Sequence, residues 1–202
     1  MKTFVTHYTP LTNRKEHILN EFRKHNIDNV EFIETHDREV LTENELNKFE
    51  KINNSERSLF LKHIEIYKKI VNDKGITLVF EDDAVLVENF KEILNDYIIN
   101  LPENFDIIFP GECANLHIFG QNINKYYYRY NMSRGTCFYI INNKCIQKIL
   151  DKFEEDSNNK ISCAIDWYFN KIIPELNLNV YWTEPTLVYQ GSETGLFNTT
   201  VR

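Results

Sequence analysis

Three consecutive carboxylates, Glu81-Asp82-Asp83, end the apolar run Ile76-Thr77-Leu78-Val79-Phe80. In open α/β sheets, ligands collect beyond the carboxyl ends of the strands, and a cluster of oxygen donors there suits a hard divalent cation that bridges to phosphates. Side chains alternate across extended backbone, so Glu81 and Asp83 are expected to point one way and Asp82 the other. Such a pair can share Mn²⁺ or Mg²⁺ and neutralise a departing diphosphate, which is Lewis-acid catalysis of group transfer. A solvated acidic turn is the competing reading, and the buried strand in front of it favours the ligand site.

Two other positions carry groups able to do chemistry. Asp166-Trp167 opens a predicted helix that continues through Tyr168, Phe169, Ile172 and Ile173. Its carboxylate either caps that helix or accepts a proton from an attacking hydroxyl as a general base. His63 falls in the pattern Leu59, His63, Ile66, Ile70, an apolar helical face on which a hydrogen-bonded core histidine is the ordinary outcome.

The elements that must position these groups alternate along the chain. A strand over residues 3–6 precedes a helix from Asn13 to about His25, and a strand from Val30 to Ile33 ends in Glu34-Thr35-His36-Asp37. Thr42, with Glu45 three residues on, resembles a capping box, and Ser55 is expected to cap a helix reaching about Asn72, broken by Gly75. After the Ile76–Phe80 strand come a helix (Asn89–Ile99), strands at Phe105–Phe109 and Thr136–Ile141, and helices at Lys144–Phe153 and Ala164–Ile173. Leu178–Trp182 is the last expected strand, and Glu154–Lys160 reads as a polar surface loop. Strands separated by helices imply an α/β fold, a mostly parallel sheet with helices on both faces.

With 202 residues, 42% of them hydrophobic, the chain can bury one good core, so a single domain is expected. A net charge of −7 with no basic cluster argues against nucleic-acid partners. No apolar run approaches the roughly 18 residues of a bilayer span, and Met1–His7 lacks a signal-peptide core, so a cytoplasmic or otherwise intracellular protein is expected. Cys113, Cys137, Cys145 and Cys163 form no CxxC pair and read as buried free thiols rather than a zinc site or disulfide framework. The sequons at Asn53, Asn131 and Asn198 read as accidental in an Asn-rich chain.

Taken in order, these segments resemble the family 25 glycosyltransferases, which include lipooligosaccharide and collagen hydroxylysine galactosyltransferases. The resemblance rests on the first strand followed by Leu11-x-x-Arg14, on Glu56 through Leu61-Lys62-His63-Ile64, and on Val79-Phe80-Glu81-Asp82-Asp83-Ala84. It continues through Gly135-Thr136-Cys137-Phe138-Tyr139-Ile140-Ile141, Asp166-Trp167 and Pro185-x-Leu187-Val188-x-Gln190. It implies a GT-A fold, which is Rossmann-like, a UDP-sugar donor (usually UDP-galactose), a saccharide or hydroxyl acceptor, and inversion at the anomeric carbon. Glu81, Asp82 and Asp83 would then contact ribose and metal, the metal falling to Glu81 and Asp83, with Asp166 as the base. Thr6, Tyr8 and Asp37 would face the nucleoside, Arg14 the nucleotide or a surface ion pair, and His63 would line the site. Lys62 departs from the family's Ser before His, and Ser58 and Phe60 replace smaller residues in the same helix.

Gln190-Gly191-Ser192-Glu193-Thr194-Gly195 is either a segment whose backbone N–H groups wrap the diphosphate, with Gln190 and Ser192 beside it, or a tail. Acceptor recognition is expected in Glu112–Arg134, which holds Tyr126, Tyr127, Tyr128, Arg129, Tyr130 and Arg134. The leading expectation is metal-dependent transfer of a hexose, galactose or glucose, from a UDP-sugar. The alternatives are a nucleotidyltransferase, against which stands the lack of a Gly-rich loop after the first strand, and a non-catalytic carbohydrate-binding module or inactive family member.

Overall fold

Two-sided burial decides the architecture, because strands with apolar residues at both alternating positions need cover on both faces. The computed structural model describes residues 1–118 and 126–199. In chain order it contains β1 (Lys2–Thr6), α1 (Thr12–Lys24), β2 (Val30–Ile33), α2 (Glu43–Leu46), α3 (Asn54–Ile70), β3 (Ile76–Glu81), β4 (Ala84–Leu86) and α4 (Phe90–Ile99). There follow β5 (Ile107–Phe109), β6 (Gly111–Glu112), β7 (Tyr127–Arg129), β8 (Phe138–Asn142), α5 (Ile146–Ser157), α6 (Ile165–Glu175), β9 (Val180–Thr183) and β10 (Val188–Gln190). Seven strands form the main sheet in the order β2-β1-β3-β8-β5-β9-β7, and β4-β10-β6 form a second, smaller sheet.

The main sheet is mostly parallel, as expected. The parallel pairings β1–β2, β1–β3 and β5–β9, with β8 antiparallel to both β3 and β5, orient five strands one way and leave β8 and β7 reversed. Alternation within strands sends Val79, Tyr139 and Ile141 to the face covered by α3, α5 and α6. Leu78, Phe80, Phe138 and Ile140 go to the face covered by α1 and α4. Phe80 and Phe138, opposite each other on β3 and β8, stack with ring centroids 4.2 Å apart. Register also sets Thr6 at the end of β1 beside Glu81 at the end of β3.

Local chemistry shifts several expected boundaries. Asn53, not Ser55, caps α3: its side chain accepts from the N–H groups of Ser55 and Glu56, and Glu56 reaches back to the Asn53 N–H. The Ser55 hydroxyl accepts instead from Arg38, 3.0 Å away. Glu154 to Ser157 continue α5 rather than looping out, because Asp156 is drawn inward by Lys152, Lys171 and the Tyr168 hydroxyl. The three-residue strands β4 and β10 are too short for a periodicity to register. Cys137 and Cys145 are buried free thiols, whereas Cys113 and Cys163 are partly exposed. Among the described residues, no helix is long and apolar enough to cross a membrane.

His63 lies inside the core on α3, with its Nδ1 2.8 Å from the Tyr139 hydroxyl, which also hydrogen-bonds Tyr67 at 2.7 Å. Burial pushes the imidazole down to about 3. A depressed histidine stabilises the fold above its unfolded value near 6.5 and loses that stabilisation as pH falls toward 3. Unfolding free energy measured by denaturant titration should therefore fall by about 1.4 kcal/mol per pH unit below 6.5 from this residue, and His63→Gln should flatten that slope. Equal slopes in the two proteins would mean that His63 takes up a proton without unfolding.

Candidate active site

The acidic triplet does not continue the strand as alternation predicts. β3 stops at Glu81, and the chain turns through Asp82 and Asp83 into β4. The Glu81 N–H still donates to Cys137 O at 3.0 Å, and its carboxylate accepts from the Thr136 hydroxyl at 2.5 Å. Asp82 accepts from His7 Nδ1 at 2.7 Å, from Arg14 at 3.1 Å and from the Tyr8 N–H at 3.4 Å. Asp83 lies 3.6 Å from Arg14 and accepts from the Ser192 N–H at 3.2 Å through Oδ2. Its other oxygen, Oδ1, is buried without a partner among the described residues.

Electrostatically this is a site short of positive charge. Burial, then the Asp83 carboxylate, push Glu81 up to about 8, with Asp82 and Asp166 adding to the rise. Burial also raises Asp83, against the pull of Arg14. Two recessed carboxylates raised in this way, one with an unpartnered oxygen, fit a divalent cation, which would supply the missing countercharge. Among the described residues, no three His, Cys, Asp or Glu side chains converge to hold an ion by themselves. An ion at Glu81 and Asp83 would have to complete its shell with water or ligand oxygens, as Mg²⁺ does at phosphate sites.

A cleft of about 870 Å³ opens over this turn, and Thr6, Tyr8, Arg14, Glu81, Asp82, Asp83, Asp166, Gln190 and Ser192 all line it. Asp37 and His63 do not. Asp37 is instead the counter-ion of Lys62, whose Nζ donates to it at 2.8 Å and to Thr35 O at 2.5 Å. Burial lowers the Lys62 ammonium, with Asp37 opposing. His63 follows Lys62 by about 100° around α3, so while Lys62 reaches the cleft His63 points at Tyr139. Sequence reasoning passed over His7 and Arg38, which also line the cleft. The Arg38 guanidinium lies 4.5 Å from the Tyr8 ring centroid, and its Nε donates to the Tyr8 hydroxyl. Position just beyond strand ends was the available signal for both.

Asp166 is the second residue of α6 and does not act as its N-cap, a place taken by Ala164 without a side-chain hydrogen bond. An acid in the first turn is favoured by the helix dipole whatever else it does. The segment after β7 is fastened to this turn: the Ser133 hydroxyl donates to Asp166 O at 2.9 Å, and its N–H to Asn170 Oδ1 at 2.7 Å.

Most of the tyrosine-rich stretch is structural. The Tyr127 hydroxyl is buried and donates to Tyr97 O, Tyr126 donates to Asp96, and Arg129 pairs with Asn179. Arg134 is fully buried, donating to Leu116 O, Thr183 O and Glu184. Tyr130 alone of the six named residues lines the cleft, and positions 119–125 of the stretch lie outside the described residues. The carboxyl-terminal segment packs on the acidic turn instead of presenting an open cradle. Gly191 and Ser192 donate their N–H groups to Asp83, Glu193 and Thr194 donate theirs to Gln190 O, and Arg14 donates to Asn198 O at 2.5 Å. Gly191 is required there, since a Cβ would sit 2.6 Å from Asp83 O.

Residues 1–167 match the family model described as glycosyltransferase family 25 (LPS biosynthesis protein). Among solved structures, the chain is similar to a glycosyltransferase involved in the glycosylation of the major capsid of PBCV-1. The TM-score is 0.55 at 10% identity, with 94% of this chain and 92% of that one covered, which is a likeness of fold. No curated protein sequence matches.

The raised Glu81 carboxyl has a measurable consequence. A carboxyl lifted in the folded state stabilises fully below its unfolded value near 4.5, and that contribution is lost as pH rises through about 8. The melting temperature of the metal-free protein should fall between pH 5 and 9, and fall less in Glu81→Gln. Indistinguishable pH profiles would show that Glu81 ionises normally.

Proposed function

The chain belongs to glycosyltransferase family 25, and from that membership we propose that it transfers a hexose, galactose or glucose, from a UDP-sugar to a saccharide or hydroxyl acceptor with inversion. The observation that carries the reading is the meeting of Glu81, Asp83 and Asp166 from two distant parts of the chain on one cleft, with Asp83 Oδ1 buried and unpartnered. The family's description points to lipopolysaccharide glycans as the acceptor class.

Glu81 and Asp83 would hold Mn²⁺ or Mg²⁺ together with the donor's diphosphate, and the ion would supply the positive charge that the leaving UDP needs. Thr6, Tyr8 and Arg38, beyond β1 and β2, suit the nucleoside, and Arg14 fixes the acidic turn from below. Asp166 takes the proton of the acceptor hydroxyl as its oxygen bonds to the anomeric carbon and the bond to UDP breaks on the opposite side. A single base suffices, because the leaving diphosphate does not need a proton. Gln190 and Ser192 stand beside Asp83, where they suit the sugar or diphosphate.

The test is UDP release and product formation with Mn²⁺ over a panel of UDP-sugars, using lipooligosaccharide-type glycans as acceptors. Release from one donor should be abolished by EDTA, and Asp83→Ala should lose at least tenfold in apparent metal affinity. Asp166→Asn should lower kcat by about 10²-fold or more. Undiminished transfer by Asp166→Asn would remove it as the base, and metal-independent release would return the acidic turn to a structural role.

A further inference from the structure

The cleft is graded in charge along the sheet. Among the described residues its lysine and arginine side chains are Arg14, at the acidic turn after β3, and Arg38 and Lys62, at the β1–β2 edge; its carboxylates are Glu81, Asp82 and Asp83 at the end of β3, Glu56 on α3, Asp166 on α6 and Glu193 after β10. At the opposite edge, beyond β9 and β7, the wall beside Asp166 carries no lysine or arginine among the described residues: Trp167 and Asn170 from α6, Tyr130, Met132 and Ser133 from the segment after β7, and Trp182 from β9. Trp167 is 63% exposed, because α6 turns Ile165, Tyr168, Phe169, Ile172 and Ile173 into the core and leaves the indole on the cleft side. Tyr130 and Met132 are also exposed. This lip is nonetheless rigidly built. Tyr130 packs on Trp182 with centroids 4.4 Å apart, Trp182 Nε1 donates to Met132 O at 2.8 Å, and both Ser133 bonds reach the first turns of α6. With its oxygen engaged by Ser133, Asn170 keeps its NH₂ as a donor at the wall.

We propose that Trp167 is the platform on which a pyranose ring of the acceptor stacks, and that the acceptor is accordingly a neutral saccharide. The assignment of this ring to the acceptor rests on the sugar-transfer reading above. An exposed indole covers the C–H face of a hexose, and an adjacent amide meets its hydroxyls. A phosphorylated or uronic-acid acceptor would call for a cation, whereas Arg14 is engaged by Asp82 and Asp83, and Arg38 and Lys62 stand at the other end of the cleft. Adjacency on the first turn of α6 puts the stacked ring beside Asp166, where a hydroxyl must be deprotonated.

Ligand-observed saturation-transfer NMR in the presence of UDP and Mn²⁺ tests the platform without turnover, using methyl galactoside, methyl glucoside and lactose against methyl glucuronide. The neutral glycosides should show saturation of their ring C–H protons, and the glucuronide should not. Trp167→Ala should reduce the signals at least fivefold, Trp167→Phe should retain most of them, and circular dichroism should show both variants folded. In transfer assays, Trp167→Ala should raise acceptor KM at least tenfold, with a smaller change in donor KM. Equal signals in wild type and Trp167→Ala, stronger binding of the glucuronide, or no saccharide signal at all would overturn the proposal. A protein that binds glycosides through Trp167 yet releases no UDP from any donor would instead overturn the sugar-transfer reading and leave the platform standing.

Discussion

Three carboxylates at the end of one buried strand repel one another, and the surrounding structure is arranged around that repulsion. Arg14 from α1 meets Asp82 and Asp83 and also holds the Asn198 carbonyl, while His7 after β1 takes the other oxygen of Asp82. One guanidinium thereby joins the first helix, the β3–β4 turn and the carboxyl-terminal segment. Buried charges are tolerated when paired and costly when not, so these elements are held together by the same acids that they position. The compensation is incomplete, since Glu81 stays raised and Asp83 keeps an unpartnered oxygen. That remainder leaves the acidic turn short of positive charge.

The sheet order spreads different chemistry across the cleft. The β2–β1 edge carries Tyr8 and Arg38 after its strands and Lys62 from α3, the centre carries the acids, and the β9–β7 edge carries the aromatic lip next to Asp166. Lys62, a departure from the family pattern in the sequence, is accommodated because Asp37 and the Thr35 carbonyl satisfy its ammonium in the wall. A residue pair expected to divide between nucleotide and helix thus works as one buried ion pair.

Much was legible in the sequence because it depends on short-range regularities. The apolar run at residues 76–80, the helical spacing of α1, α3 and α6, and the Thr42–Glu45 capping box each follow from neighbouring residue types, backbone periodicity or partners three or four residues apart. The carboxylates at 81–83 and 166 were visible by type and by place at an element's end. The face taken by each was not. The turn after Glu81 breaks the alternation that would have set Asp82 apart from Glu81 and Asp83, and the strand β10, at three residues, leaves no periodic signal.

The sequence by itself determined the α/β class, the order of elements and the chemical types at the ends of β3 and α6, since these follow from local pattern and residue chemistry. Only tertiary structure decided which side chains share the cleft. His63 and Lys62 are neighbours in the chain, yet a 100° turn of helix sends one to Tyr139 and the other to Asp37. Tyr126, Tyr127 and Tyr130 are alike in the sequence, yet two are buried beside α4 and one packs on Trp182 at the rim. Such partners lie tens of residues apart, and contact across that distance is fixed by the packing of whole elements, which no local spacing encodes.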